Sequence, residues 1–555
     1  MPLLIVVSTA GWGLIYFKLL RLGADEDSGY DLFSTCLVGI LTLSFIILGL
    51  NYFIPVGTEI GYATLTIGFL AYAIRLSKNR QWGEQTFLLL VMTALVSLLF
   101  RKLTYQDDTG LYHIPYMNWL AEYPVPLGLA NVDGHLGFNS IWLVYIAAFR
   151  IDSFAEWHHV LNAEVAVRVL GCGWIFWKLL HSIRSGWLAQ SYFYLSALIV
   201  YCLIVRQLAD PGTDHAGNIF SLLAWIAYIN CLFIQVRHEA GTIKLKQEFL
   251  LVLVLSTLAI TSKLSLFPVV IIPLAFMLTQ GLTGNWRVIR DTYRTGAVCT
   301  LFVIAWMLRG VLLSGCLLYP ASFTCFDVAW RVPKASVTYM ASEIMAWART
   351  SGVGFQAYFD PWNFSWLGNW IGKFWRSPSI GVLEIMIALF VFTVVIKPNR
   401  LRWEVPDRKV VIPYVLVTVL IIACGLGLMF LKAPDPRFSW SFFAILGVAI
   451  LYASVVHYSF LLPPVTWHKY SAVKVVLAGL ILLSVIHIAR VVRGVNYQPP
   501  TPKVIETSLK NGWKAFRPAD GGSCWSFFPC APGGIENVQV READGRLLFV
   551  PRQSD

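Results

Sequence analysis

The sequence predicts an all-α, polytopic membrane protein with about 14 transmembrane helices. Hydrophobic residues make up 57% of the 555 residues and charged residues only 13%, whereas soluble domains carry about 25% charged residues. The mean hydropathy is +0.64, and the 22 Trp and 23 Tyr suit the interfacial belts of membrane proteins. Because each span needs about 20 apolar residues, many spanning helices account best for a chain of this composition.

Apolar runs of spanning length follow one another along the chain. The predicted spans are residues 2–21, 30–52, 57–77, 84–101, 162–182, 187–207, 214–236, 247–262, 264–281, 294–316, 379–397, 410–431, 438–458 and 470–491. No cationic segment precedes the first run, and its cations, Lys18 and Arg21, lie at its C-terminal end, which is the reverse of a secretory signal peptide. We therefore expect the first run to be a span with the N-terminus outside.

Alternating sides from that start places the cationic short loops inside, as the positive-inside rule requires. These inner loops are residues 75–80, 178–184, 237–246, 287–294 and 397–409. The outer segments are residues 102–161, 207–214, 317–378, 432–437 and 492–555. The net charge of +12 is therefore explained by topology and does not indicate nucleic-acid binding.

Two domains are predicted from the change of composition near residue 492. Residues 1–491 form the transmembrane domain, and its outer loops 102–161 and 317–378 hold aromatic-rich stretches that are expected to form interfacial helices. Residues 492–555 form a small extracytoplasmic domain, β or α/β. Its run VQVREADGRLLFV alternates apolar and polar residues around a turn, which predicts a β-hairpin.

Four of the ten cysteines fall on the predicted outside, where disulfides persist. We expect Cys524 to pair with Cys530, closing the loop CWSFFPC, and Cys316 to pair with Cys325. Free thiols are the alternative for both pairs. A zinc site is disfavoured because no His or Cys pair with zinc-finger spacing accompanies them.

The polar stretch TYQDDTGLYH, which follows the fourth predicted span, holds the candidate catalytic residues. Asp107 and Asp108 are candidate general bases, since an interfacial carboxylate suits the removal of a hydroxyl proton. The sequence does not separate them, but Asp108 is preferred because Tyr112 lies one helical turn later. Tyr112 and His113 are candidate substrate-binding residues. The alternative is that Asp108 only caps a helix.

A second acidic group lies in the short outer segment QLADPGTDHAGN. Asp210 and Asp214 would orient a donor phosphate or bind a metal ion, and the alternative is a helix cap by Asp214. If the site holds a divalent cation, Asp108, Asp214 and His215 are its candidate ligands.

Cations at outer helix ends are candidate phosphate contacts. Lys263 lies between two apolar runs, where an ammonium group is costly unless it meets water or an anion. Arg437, in LKAPDPRFSW, suits bidentate phosphate recognition. The alternatives are snorkelling of Lys263 and an interfacial anchor formed by Arg437 with Asp435. Arg309 is a weaker substrate-binding candidate.

The chain resembles the GT-C superfamily of membrane glycosyltransferases over roughly residues 84–457, in an uncharacterised bacterial subgroup. The resemblance is carried by TYQDDTGLYH, HLGFNSIWLVYIAAF, NAEVAVRVLG, TSKLS, SGCLLYP and APDPRF. It implies inverting transfer of a sugar from a polyprenyl-phosphate carrier, with Asp108 or Asp107 as base and with Lys263 and Arg437 on the donor phosphate. Tyr319, in SGCLLYP, is a further substrate-binding candidate. The number of spans before the first large loop departs from the family, where one is usual.

These inferences lead to one expected function and two alternatives. We expect a glycosyltransferase of the bacterial inner membrane that acts at the periplasmic face. Its partners would be membrane lipids, a polyprenyl-phosphate sugar as donor, and a glycan or glycolipid acceptor, with a divalent metal as the one candidate cofactor. The main alternative is a transporter, flippase or polymerase of surface polysaccharide. A membrane-bound acyltransferase is disfavoured because His113 and His215 fall in outer loops rather than in a span.

Overall fold

The protein is mostly helical, with 16 α-helices and four β-strands among the described residues. The computed structural model describes the chain except for residues 21–29, 79, 100–107, 152–157, 206–211, 238–242, 283, 351–354, 361, 376–386, 388–407, 459–500, 509–512, 520–521, 526, 533–534, 536–537, 544 and 553–555. The helices are α1 (Pro2–Leu19), α2 (Leu32–Asn51), α3 (Thr58–Leu76), α4 (Arg80–Leu99), α5 (Ile114–Glu122), α6 (Ile141–Ala147), α7 (His158–Arg184), α8 (Leu188–Val205), α9 (Thr213–Val236), α10 (Ile243–Ser262), α11 (Ile271–Leu282), α12 (Trp286–Ser314), α13 (Lys334–Arg349), α14 (Leu367–Trp375), α15 (Arg408–Lys432) and α16 (Trp440–Tyr458).

Seven helical segments of the described chain are long and apolar enough to cross a membrane, which makes this a multi-pass membrane protein. They are Pro2–Leu19, Leu32–Asn51, Thr213–Val236, Leu264–Leu282, Trp286–Ser314, Val410–Lys432 and Pro436–Ala453. The prediction of about 14 spans is thereby corrected. Helices form at several other predicted positions, but charged side chains reduce their apolar character, as Glu164, Arg168 and Lys178 do in α7. The predicted span 470–491, and 379–397 apart from Ile387, lie outside the described residues.

Small residues bring the N-terminal helices into close contact. A Cβ on Gly11 of α1 would lie 1.8 Å from the backbone oxygen of Gly68 in α3, so only glycine permits this approach. On its other side α1 packs against α2. Close packing through small residues is the usual way in which membrane helices associate.

Polar side chains gather at the two ends of the helices. The C-terminal end of α7 and the N-terminal end of α10 meet through Lys178 and Glu248. At the other end of the helices, the first turn of α9 and the C-terminal end of α10 meet through Asp214 and Lys263. Both groupings agree with the predicted alternation of inner and outer helix ends.

The stretch HLGFNSIWLVYIAAF does not form a helix that lies on the membrane surface. It contains α6, whose residues are all buried against α2, α5 and α10. Every side chain of α6 is apolar or aromatic, so this helix gains most by complete burial. The expectation of an interfacial helix at this position was therefore wrong.

The C-terminal segment forms two antiparallel hairpins. Strands β1 (Val504–Ser508) and β2 (Lys514–Pro518) form the first, and β3 (Val538–Ala543) and β4 (Arg546–Pro551) form the predicted one. The backbone of Leu127 pairs with β4 through bonds to Leu547 and Phe549 of 2.9 and 2.8 Å, which joins this segment to the first large loop. Both predicted disulfides, Cys316–Cys325 and Cys524–Cys530, are present.

Candidate functional site

Asp108 lies at the start of a helical segment that begins as a π-helix. The π-helix covers Thr109–His113 and continues directly into α5. Wide turns of this type occur frequently at functional sites. Asp108 is the N-terminal flanking residue, yet its carboxylate makes no capping hydrogen bond. Its side chain, about one third exposed, faces Arg437 instead. Asp108 therefore does not act as the helix cap that was the alternative. Asp107 lies outside the described residues.

Four residues that are distant in sequence form one group, which we call the charge cluster: Asp108, Asp214, Lys263 and Arg437. Nη2 of Arg437 lies 3.6 Å from Oδ2 of Asp108, and its Nε lies 4.0 Å from Oδ2 of Asp214. Nζ of Lys263 contacts Oδ1 of Asp214. The cluster therefore joins the π-helix, the first turn of α9, the end of α10 and the turn before α16.

The two cations of the cluster share an aromatic surface. Nζ of Lys263 lies 3.9 Å, and Cζ of Arg437 4.7 Å, from the ring centroid of Phe438. Such cation–π contacts hold cations without neutralising them. The APDPRF segment thus supplies both a guanidinium group and the ring that positions it.

Asp435 shapes the turn that carries Arg437. Its Oδ1 accepts the backbone N–H of Arg437 at 3.0 Å, and its Oδ2 lies 3.7 Å from the Arg437 Nε. Lys373 of α14 lies 3.4 Å from the same carboxylate. The predicted pairing of Arg437 with Asp435 is therefore present, but Arg437 also contacts the two cluster carboxylates.

The guanidinium group of Arg437 keeps hydrogen-bonding capacity for a ligand. Its carboxylate contacts of 3.6 to 4.0 Å exceed the roughly 2.7–2.9 Å of charge-assisted hydrogen bonds. Its Nε is buried and has no hydrogen-bond partner in the described part of the chain. Arg437 could therefore bind an incoming phosphate while remaining close to the carboxylates.

Two buried imidazoles lie beside the charge cluster. His113 is 2% exposed, and neither of its ring nitrogens has a hydrogen-bond partner among the described residues. The pKa of His113 is lowered to about 4, mainly by burial; the charge of Asp108 opposes this shift, and the charges of Lys263 and Arg437 add to it. His215, in the first turn of α9, is also buried, and its Nδ1 has no partner within the described segments. At neutral pH, His113 is an uncharged group that can donate one hydrogen bond and accept another.

Sequence analysis missed a second ionisable pair, Asp133 and His135. Nδ1 of His135 lies 2.9 Å from Oδ1 of Asp133, and that oxygen also accepts the backbone N–H of His135 at 2.8 Å. The ring of His135 stacks on Tyr112, with centroids 5.6 Å apart. The spacing Asp-Gly-His, typical of a turn closed by an Asp side chain, was the available signal.

The surroundings of His135 favour its protonated form. Burial alone would lower the pKa of His135, but the hydrogen bond and charge of Asp133 outweigh it and raise the pKa, with help from Glu343 and Asp108. Burial and the charge of Asp133 raise the pKa of Glu343, a residue of α13, against the effect of His135. Tyr319 is buried next to this group, and burial raises the pKa of its hydroxyl.

The remaining predicted residues lie away from the charge cluster or outside the described residues. Arg309 is 2% exposed, and it donates to the Tyr116 hydroxyl and to the Asn139 and Asn51 Oδ1 atoms at 3.0 and 3.3 Å. These neutral partners make Arg309 a link between α12, α2 and α5. Asp210 lies outside the described residues.

The described residues contain no group of three or more His, Cys, Asp or Glu side chains placed to hold a metal ion. Asp108 and Asp214 both face Arg437, and Asp214 also contacts Lys263. The described geometry therefore favours binding of an anion over the proposed ligand set Asp108, Asp214 and His215.

The disulfide loop Cys524–Cys530 packs on the π-helix next to Asp108. The backbone N–H of Trp525 donates to the carbonyl of Gly110 at 2.9 Å. A Cβ on Gly110 would lie 2.3 Å from Cε2 of the Trp525 indole, so glycine is required for this contact. The C-terminal segment thus forms part of the surface around the candidate site.

Comparison with known proteins gives a family but no activity. No curated protein matches the chain. The matching family carries no glycosyltransferase description, so the resemblance to the GT-C superfamily stays a prediction. The match includes all four residues of the charge cluster and excludes the two C-terminal hairpins. Because the family's sequence model matches residues 1–444, the chain belongs to the family described as a domain of unknown function, DUF8201.

Proposed function

We propose that this protein is a membrane glycosyltransferase that moves a sugar from a polyprenyl-phosphate donor to a hydroxyl of a lipid-linked or surface glycan. The observation that supports this proposal most is the charge cluster, which combines a partly exposed carboxylate with two cations at one end of the helices. Transfer from a lipid phosphate needs a group that accepts a proton and cations that hold the leaving phosphate.

In the proposed reaction, each member of the charge cluster has one role. The carboxylate of Asp108 takes the proton as the acceptor oxygen forms its bond to the sugar C1. The bond between C1 and the phosphate oxygen breaks with inversion, and its electron pair stays on the phosphate. Arg437 and Lys263 stabilise that charge, and Asp214 orients both cations.

The groups around the cluster suggest where each substrate lies. We assign the donor phosphate to Arg437 and Lys263. The uncharged imidazole of His113 is suited to hydrogen-bond the sugar hydroxyls. The ring of Tyr112 contacts both His113 and His135, so we assign the acceptor to the neighbouring pair of Asp133 and His135. In the proposed topology this face is periplasmic in a bacterial inner membrane.

The position of the charges favours an enzyme over a transporter. Asp214 lies in the first turn of α9, Lys263 follows the last residue of α10, and Arg437 precedes α16. Transporters usually place their ionisable groups near the middle of the membrane, beside broken helices. Here the charges lie at helix ends.

Substitution of Asp108 by Asn tests the proposal directly. With purified protein in membranes and a labelled polyprenyl-phosphate sugar, Asp108→Asn should lower kcat by about 10²–10⁴-fold, the usual contribution of a general base. Asp327→Asn is the matched control, because Asp327 is also paired with an arginine, Arg331 at 3.3 Å, but is almost fully exposed. Full activity in Asp108→Asn would contradict the proposal. Movement of the labelled lipid-linked sugar across the membrane without its transfer to an acceptor would also contradict it.

A further inference from the structure

A cavity of about 180 Å³ lies at the end of the helices opposite the charge cluster. It is formed where α2 begins, α7 ends, α8 begins, α9 ends and α10 begins. In the predicted topology all five of these helix ends face the inside of the cell. The cavity is separate from the candidate transferase site, so a ligand bound in it takes no part in the transfer reaction.

One lysine in the wall of the cavity forms ion pairs with two carboxylates. Nζ of Lys178 contacts Oε1 of Glu248 and lies 4.0 Å from Oδ2 of Asp31. A further cation–π contact places Nζ of Lys178 5.4 Å from the ring of Trp174. Both carboxylates of the cavity, Asp31 and Glu248, are therefore paired with Lys178.

Two more cations line the cavity, so basic groups outnumber acidic ones among its described lining residues. The guanidinium carbon of Arg237 lies 3.8 Å from the ring centroid of Trp187, and its Nη1 donates to Oε1 of Gln190 at 2.7 Å. Nζ of Lys244 lies 5.6 Å from the same ring. These contacts fix the arginine, and fixed cations lose less freedom when they bind an anion.

Two buried polar atoms of the cavity wall have no hydrogen-bond partner within the described residues: Oε2 of Glu248 and Nε2 of Gln247. Buried polar atoms are nearly always hydrogen-bonded. Oε2 of Glu248 can accept from a hydroxyl or amine group of a ligand, and Nε2 of Gln247 can donate to a hydroxyl or phosphate oxygen.

We propose that this cavity binds the phosphate group of a small anionic ligand through Arg237 and Lys244. The phosphate belongs either to the headgroup of an inner-leaflet phospholipid or to a soluble molecule. Basic pockets between membrane helices on the cytoplasmic side commonly hold anionic lipid headgroups. The cavity, with a volume of about 180 Å³, has room for the phosphate group of such a ligand.

The test uses the full chain in nanodiscs that contain only phosphatidylcholine, or phosphatidylcholine with phosphatidylglycerol. Bound phosphatidylglycerol is measured by mass spectrometry after purification, and Tm is measured with and without inorganic phosphate. The variants are Arg237→Gln and Lys244→Gln; because Lys244 is exposed, its substitution should not disturb folding. Lys246→Gln is the matched control, since Lys246 pairs with Asp291 and does not line the cavity.

Each variant should bind the phosphate ligand about fivefold more weakly, as expected for the loss of one basic contact at a membrane surface. Lys246→Gln should behave as the wild type does. If the wild type retains phosphatidylglycerol and both variants retain less of it, the ligand is a lipid headgroup. If inorganic phosphate raises the Tm of the wild type but not of the variants, the ligand is a soluble molecule. Equal retention and equal Tm in wild type and variants would overturn the proposal.

Discussion

At the scale of single residues, Asp133 and His135 show how a turn can create a titrating site. The same Asp133 oxygen fixes the backbone of the turn and accepts the imidazole N–H. The hydrogen bond holds His135 with Nδ1 toward Asp133, which leaves Nε2 for a different partner. A histidine oriented in this way, beside Asp108 and Glu343, suits proton exchange with a substrate.

The raised pKa of His135 predicts a defined dependence of stability on pH. A histidine whose pKa is higher in the folded than in the unfolded protein stabilises the fold fully below its unfolded pKa, about 6.5. That contribution is lost as the pH rises through the folded pKa. Asp133→Asn should therefore destabilise the protein by about 1.5–3 kcal/mol at pH 6, the usual value of a hydrogen bond to a charged group, and by less at pH 9.

Thermal unfolding at both pH values measures this difference, and Asp327→Asn again serves as the control. The modification rate of His135 by diethyl pyrocarbonate, followed by peptide mass spectrometry, reports its protonation directly. In Asp133→Asn the rate should rise at lower pH than in the wild type. Identical profiles in the two proteins would show that Asp133 does not set the protonation of His135.

At the scale of structural elements, the π-helix and the disulfide loop form one packed unit. The Gly110 carbonyl accepts the backbone N–H of Trp525, and the indole covers the position of the missing Cβ. Because Asp108 is only two residues before Gly110, the loop restricts the backbone that carries the proposed base. The disulfide loop therefore contacts the backbone beside the candidate site, although it lies outside the family match.

Gly110→Ala should separate these two elements. The added methyl group would lie 2.3 Å from the Trp525 ring, and forced overpacking typically costs about 1–3 kcal/mol. Trp525→Ala in the same chain should remove the clash, so the two substitutions should be non-additive in unfolding experiments. Gly83→Ala, where nothing lies within 4 Å of the added carbon, is the control. Additive effects would mean that the loop and the π-helix do not contact each other in solution.

At the scale of the whole molecule, the sequence predicted the charged residues that meet at one end of the helices better than it predicted the number of helices that cross the membrane. Asp108, Asp214, Lys263 and Arg437 were recognised because each is an ionisable residue at the end of an apolar run. Their contacts could not be predicted, since they depend on the packing of four distant segments. Asp133 and His135 were missed because their pairing is a property of a loop conformation.

The number of spans was overestimated because apolar content was given too much weight over charge. Glu164 and Arg168 lie within α7, and Arg168 Nη2 approaches Glu164 Oε1 at 2.9 Å with both side chains buried. The apolar residues around such a charged pair keep the mean hydropathy of the segment high, so mean hydropathy alone does not reveal the pair. The short helix α6 was misassigned for a related reason, since an aromatic, apolar segment can be buried in protein as well as at a membrane surface.

The grouping of polar residues at two ends predicts the orientation of the whole chain. Asp31, Lys178 and Glu248 meet at one end, and Asp108, Asp214 and Arg437 meet at the other. If the cationic loops are inside, a cysteine introduced at Ser77 should be inaccessible from outside, and a cysteine at Asp327 should be accessible. Asp327 and Ser77 are both exposed, so only the membrane would distinguish them.

Labelling of intact cells with a membrane-impermeant maleimide measures this orientation. Cys424, the one exposed free cysteine among the described residues, is first replaced by Ala to remove background. The Asp327→Cys protein should be labelled in intact cells, and the Ser77→Cys protein only after the membrane is permeabilised. The reverse pattern would place the charge cluster on the cytoplasmic side, where soluble nucleotide sugars are present, and the requirement for a lipid-linked donor would disappear.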